Sequence, residues 1–267
     1  MKAGKYLFFL LLTLLLSCSG EEEAVTPDKP DKPDDPAEKY RVFLWVDASA
    51  NYVNLSTAQG IANYVTKAKE IGVTHLVVDV KEPMGEVLYD SKIAPMNLNW
   101  KGVTRTRDYD YLRIFIDEAR KNNIKVFAAL NMFSGGSKSA RRGPVYTDPA
   151  KKEWASITYN KDGSLQNSIE TADQGEVMLN VSRKDVRDYQ LSIIEEVITK
   201  YPGLDGITLD RCRWDGGFKG DFSTESRELF QKHIGKTLVR YPQDIFEWVY
   251  ENGNYIRKNG TYFAQWN

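Results

Sequence analysis

The sequence predicts an α/β fold of the TIM-type (β/α) barrel class, incomplete, with about the first four β/α units present. Three observations predict it. Four apolar runs of strand length alternate with segments of helical periodicity, which implies parallel strands joined by crossovers. The connections after the second, third and fourth runs are long and those returning from helix to strand are short, as in a barrel that carries its site at the strand C-termini. No GxGxxG or GxxxxGK[ST] turn follows the first run, which argues against a nucleotide-binding open sheet.

The first run, residues 41–47, precedes a helical segment over 56–71 that Ser56 can cap and Gly72 ends. The second, 74–81, leads through a loop to a helix over 109–122, where Leu112, Phe115, Ile116 and Ala119 make one apolar face. The third, 125–131, is followed by a long loop and a helix over 184–201, and the fourth, 204–210, by a Gly-rich loop and a helix over 224–234. In the third loop, the Ser134 to Ser137 run and the pair Arg141 and Arg142 suggest a mobile, polar rim.

The N-terminal stretch reads as targeting. Lys2 and Lys5 precede an apolar run over 6–16 and then Ser17, Cys18, Ser19 and Gly20, the order of an export signal. That run is shorter than the ~20 residues a membrane-spanning helix needs. Leu15, Leu16, Ser17 and Cys18 resemble the lipobox of bacterial lipoproteins, which implies a signal peptide over 1–18, lipidation of Cys18 and a membrane partner through that anchor. Glu21, Glu22 and Glu23 are similar to the acidic signal that sends such proteins to the cell surface. Residues 19–39, rich in Pro, Asp and Lys, are too poor in apolar side chains to pack and read as a tether ahead of the domain at 40–267.

Composition narrows the function. The chain is 42% hydrophobic and 27% charged, with a formal net charge of −1 and both signs interspersed, so no basic field exists to hold nucleic acid. With Cys18 and Cys212 the only cysteines, and His75 and His233 the only histidines, a Cys/His metal cluster or a Ser-His-Asp triad is hard to assemble; no metal and no cofactor is expected.

Counting by twos splits each strand into two faces. Val42, Leu44 and Val46; Leu76, Val78 and Val80; Val126, Ala128 and Leu130; and Ile207 and Leu209 are aliphatic and should face the helices. The opposite set should face the barrel axis, and it ends in Asp47, in Asp79 with Lys81, in Asn131 and in Asp210. Four polar ends at one opening suggest a ligand site, since a buried carboxylate or amide needs a partner. A barrel-end Asp that merely caps its loop is the plain alternative for each. Asp210 is flanked by Arg211 and Arg213, which could hold it ionised. Glycoside hydrolysis needs one ionised and one protonated carboxyl; Asp210 suits the first role, and Asp79, Glu82 and Glu86 are the available acids. Tyr89, Trp100 and Trp214 could stack on sugar rings, or lie in the core.

The same residues resemble a family. Val78 to Lys81 with Gly85 to Tyr89, Ala129 to Phe133, Met178 to Ser182 with Asp185 to Tyr189, and the DGxxxDRxR pattern of Asp205 to Arg213 are similar to the bacterial glycosyl hydrolase-like family ten barrels. The resemblance implies hydrolysis of O-glycosidic bonds in an extracellular polysaccharide or oligosaccharide, with Asp210 as the catalytic carboxylate. It sets Arg211 and Arg213 around Asp210 and implies Asn180 as a substrate or loop-ordering contact; Asp47, Asp79, Lys81 and Asn131 are placed with the substrate by strand parity, and Trp214 by its aromatic ring. It also implies strands beyond the fourth. A surface glycan-binding lipoprotein without catalysis is the competing expectation.

Overall fold

The computed structural model describes residues 40–171, 175–213 and 220–266. Cys18, Trp214 and the leader and tether expected over 1–39 lie outside the described residues.

The chain begins its fold with β1 (Phe43–Val46), a short α1 (Ala48–Asn51), α2 (Ala58–Glu70) and β2 (His75–Lys81). A two-stranded ribbon, β3 (Asn99–Trp100) and β4 (Val103–Thr104), precedes α3 (Tyr111–Lys121) and β5 (Lys125–Asn131). The long third loop holds β6 (Ser134–Ser137), a one-turn α4 (Pro144–Thr147), β7 (Ile157–Tyr159), β8 (Leu165–Asn167) and β9 (Glu176–Met178). Then follow α5 (Lys184–Lys200), β10 (Gly206–Asp210), α6 (Thr224–Ile234), a hairpin of β11 (Phe246–Glu251) and β12 (Asn254–Asn259), and α7 (Phe263–Trp266).

The four long runs form one parallel sheet in the order β1-β2-β5-β10. Each new strand adds to the same edge, without the reversal that marks a doubly wound sheet. Alternation in register places the two faces as expected. Phe43 stacks on His75 at 4.3 Å and meets Phe127 at 6.1 Å, and a Cβ on Gly206 would fall 2.5 Å from the Phe127 ring, so these four share the axial side. On the other side Leu76, Val78, Val126, Ala128 and Leu130 are buried in one cluster with Ile61 and Val65 of α2, Leu112 and Phe115 of α3, and Ile193 and Val197 of α5.

Two local expectations are corrected. Thr57, not Ser56, caps α2, accepting a hydrogen bond from the Gly60 amide; the Ser56 hydroxyl instead accepts from Arg105 Nε at 3.0 Å. The helix over 224–234 forms, but it does not cover the fourth strand. Its Phe230 belongs to a second cluster with Tyr159, Phe222, Leu238, Ile245 and Phe246, and Leu209 is left 50% exposed. An apolar stripe shows that a helix has a partner without naming it.

The third loop is also more ordered than a mobile rim. Gly135 and Gly136 are buried, and side chains there would collide with Leu179 and Val145. The β6 and β9 strands pair antiparallel.

These assignments separate two leucines of equal size. Leu76→Ala, fully buried, should cost about 2–5 kcal/mol, whereas Leu209→Ala should stay below about 1 kcal/mol in urea denaturation. Equal losses would place a helix over Leu209 after all.

Candidate functional site

The polar residues at the C-terminal ends of β1, β2, β5 and β10 sit at one end of the sheet, with different surroundings. Asp47 is exposed and caps α1, its Oδ1 accepting from the Ala50 amide at 2.8 Å. Asp79 is 6% exposed; its Oδ1 accepts from Trp45 Nε1 at 2.9 Å and its Oδ2 from the Ala48 amide at 3.4 Å. Burial pushes the Asp79 carboxyl up to about 7, assisted by the nearby Asp47 and Glu82 charges and resisted by those two donors. Asp79 thus holds a proton far into the neutral range.

Lys81 departs from the expected alternation. The β2–β5 register shifts between Asp79, opposite Ala129, and Lys81, opposite Leu130. This bulge carries Lys81 into the protein, where it is fully buried. Its ammonium donates to the carbonyls of Asn131, of Met132 at 3.1 Å and of Ser134 at 2.9 Å, and the Asn131 amide returns a bond to the Lys81 carbonyl at 2.9 Å. Burial pulls the lysine down to about 7. Rather than lining an opening, Lys81 fastens the end of β5 to β2.

Asn131 stands opposite Asp210 in register and is 2% exposed, with its side-chain oxygen taken by Arg211 Nε at 2.8 Å. Arg211, at a φ of +50°, turns its guanidinium toward Asn131 and toward Glu176 Oε2 at 3.2 Å instead of toward the Asp210 carboxylate. The flanking arginine expected to hold Asp210 ionised through charge therefore points elsewhere, and Asp210 Oδ1 accepts the Arg211 backbone amide at 2.7 Å. Arg213 is exposed. Asn180 is buried away from the strand ends: it donates to Ser223 Oγ at 2.9 Å and accepts the Ser182 amide at 2.9 Å, which orders the loop before α5.

Beside Asp79 lies a second layer of carboxyls. Glu82, fully buried, accepts from Ser49 Oγ at 3.0 Å and Asn97 Nδ2 at 2.5 Å, and burial raises its pKa. Glu86 receives two bonds from Arg142, whose cation opposes the upward push of burial. Arg142 also reaches Asn97 Oδ1 at 3.0 Å and the Asn99 carbonyl at 2.6 Å. Ser49, Asn97 and Glu176 are the residues that reading the sequence did not assign to this end of the sheet; Arg142 was expected only as part of a polar rim. Ser49 lies in the one-turn α1, Glu176 in the short β9 and Asn97 in a loop, segments too short for periodicity, so only the tertiary fold brings them in. Among the ring candidates, Tyr89 is fully buried and donates to Glu196 at 2.9 Å, a core position, while Trp100 is half-buried near Arg142.

A parallel sheet growing in one direction, with carboxyls gathered at its C-terminal end, is a TIM-barrel-like arrangement. The fold agrees: α-L-fucosidase isoenzyme 2 from Paenibacillus thiaminolyticus superposes with a TM-score of 0.50 at 17% identity, over 74% of this chain and 26% of that one. The family model described as Glycosyl hydrolase-like 10 matches residues 42–258, and the chain belongs to that family. An S-layer-related protein of Niallia circulans is 33% identical over 239 residues, 85% of this chain. Glycosyl hydrolase DigH of Escherichia coli K12 is 28% identical over 158 residues, 57% of this chain. The chain spans 14% and 34% of the lengths of these two curated relatives.

The Asp79 environment has a stability signature. Between pH ~4 and ~7 the folded chain keeps a proton that the unfolded chain, with its ordinary pKa of 3.8, releases; stability attributable to this group therefore falls as pH rises through that window. Asp79→Asn should flatten the slope and raise stability at pH 7.5 by about 1–3 kcal/mol. A variant that keeps the wild-type pH slope would show that Asp79 titrates normally.

Proposed function

We propose that this protein hydrolyses O-glycosidic bonds of an extracellular polysaccharide, with Asp79 as general acid and Asp210 as the ionised carboxylate. The observation that carries this reading is the contrast between two carboxyls on one side of one sheet. Asp79 is desolvated until it keeps its proton near neutrality, while Asp210 is partly exposed and served by a backbone amide. Pairs of carboxyls in unlike environments are how acid and base roles divide at such centres. β2 and β10 lie on either side of β5, so about 10 Å separates the two strands that carry these carboxyls. Lys81, Asn131 and Arg211 serve here as the frame that holds β5 and β10 in place, and Asn180 orders the loop above them.

The finer fold reading belongs with this one: the four β/α units form the first part of a longer barrel. Membership in Glycosyl hydrolase-like 10, with relatives of which this chain spans only 14% and 34%, supports it. Export and anchoring through Cys18 at the outer membrane complete the proposal; radiolabelled palmitate should enter the full chain and not Cys18→Ser, and equal labelling of the two would exclude the anchor.

Reducing-end release from polysaccharide tests the chemistry. Asp79→Asn and Asp210→Asn should each lower kcat/KM at least ~100-fold, the usual scale for losing an acid or a carboxylate. Because the acid must be protonated, wild-type activity should decline as pH rises past about 7. Unchanged turnover by either variant, or a profile flat to pH 9, would overturn these assignments.

A further inference from the structure

The hairpin of β11 and β12 turns at Asn252 and Gly253, both at positive φ (+51° and +81°), the geometry a two-residue hairpin requires. Its register pairs Trp248 with Arg257 and Tyr250 with Tyr255. Directly opposed residues share a face, so Phe246, Trp248, Tyr250, Tyr255 and Arg257 lie on one side, with Glu247, Val249, Glu251, Ile256 and Lys258 on the other.

Along the first side burial falls steadily toward the turn. Phe246 is wholly inside the second apolar cluster; Trp248 is half-buried, and its Nε1 donates to the Tyr159 carbonyl at 3.4 Å. Tyr250 and Tyr255 are 63% and 43% exposed, their rings 5.0 Å apart at 61°. Neither phenol hydroxyl has a hydrogen-bond partner among the described residues. A pair of exposed tyrosines is amphipathic surface that water serves poorly on its ring faces, and it is not used to close the core.

Charge is divided between the same two sides. Lys161, from the β7–β8 turn, lies 5.9 Å from the Trp248 ring centre, and Arg257, on the aromatic side, holds its guanidinium 4.2 Å from the Phe263 ring centre. Both hairpin carboxylates, Glu247 and Glu251, are on the opposite side, where Glu251 pairs with Lys258 at 2.7 Å. The aromatic strip is therefore cationic. Although it follows α6 in the chain, the hairpin touches the loops beyond the strand C-termini: it rests on β7, whose Ile157 amide donates to Asp221 at 2.6 Å, in the loop between β10 and α6.

We propose that the Trp248, Tyr250 and Tyr255 strip docks a polysaccharide chain bearing carboxylates, its rings stacking on sugar faces and the cationic side meeting the acid groups. The proposal rests on the reading of the protein as carbohydrate-active and adds an extended binding surface outside the Asp79 and Asp210 pair.

Native electrophoresis of the full chain through gels containing polygalacturonate, alginate, neutral arabinoxylan or glycogen tests it. The wild type should be retarded by an acidic polymer, with at least tenfold weaker affinity for the neutral ones. Tyr250→Ala combined with Tyr255→Ala should lose at least tenfold in affinity for the acidic polymer, and Lys161→Gln about threefold with a shallower salt dependence. Circular dichroism checks that these exposed substitutions leave the fold intact. No retardation by either acidic polymer, or retardation unaffected by the double substitution, would overturn the strip. So would equal binding to neutral polymers, preferential binding of single-stranded polyadenylate, or self-association abolished by the double substitution. Reducing ends are measured in parallel: hydrolysis without tyrosine-dependent retardation refutes the strip alone, and tyrosine-dependent retardation without hydrolysis refutes the glycosidase reading alone.

Discussion

The open end of the sheet depends on a single buried cation. Lys81 places an ammonium among three backbone carbonyls at the end of β5, with no carboxylate bonded to it among the described residues, and it stays at the cost of a pKa pulled down to about 7. A carbonyl left without a donor in such a place would cost about 1–3 kcal/mol. Through those bonds the turn after β5 is fixed, Asn131 is aimed back at β2, and its remaining oxygen receives Arg211 from the end of β10. Three strands are thereby tied at the level where Asp210 emerges.

Desolvation then differentiates the carboxyls that this frame collects. Asp79 near the end of β2 and Glu82 and Glu86 just after it lie close along the chain, yet one has an indole and a backbone amide, one has a hydroxyl and a carboxamide, and one has a guanidinium. Glu86 receives a full positive charge through direct hydrogen bonds from Arg142, whereas the Arg105 cation acts on Glu82 only through space. The remaining two are pushed toward the neutral acid, and of these only Asp79 lies on the axial side of the strand, facing the direction from which a ligand would come. Such a centre is kept at a cost in stability, the ordinary trade of a functional site.

Much of this was legible along the chain, for reasons that can be stated residue by residue. The strand runs are aliphatic on the side that packs against α2, α3 and α5, and counting by twos separates Val78 from Asp79 without coordinates. Lys81 escaped that count because a bulge adds one residue to the period, and bulges leave no mark in composition. Asn252-Gly253 between two β-rich runs and Lys101-Gly102 at the β3–β4 turn carry hairpin signals that the reading by strand and helix runs passed over. The pairing of Arg142 with Glu86, 56 residues apart, had no such signal.

The amino-acid sequence by itself determined the alternation of strand and helix, the side of each strand that is apolar, and the family pattern around Asp210, because these follow from backbone periodicity and local spacing. Tertiary structure alone decided which charges meet. Arg211 turns to Asn131 and Glu176 rather than to its neighbour Asp210, and α6 joins a second core rather than covering β10. Contacts of this kind depend on where the chain returns in space, and the energies that select them, desolvation above all, exist only once water has been excluded.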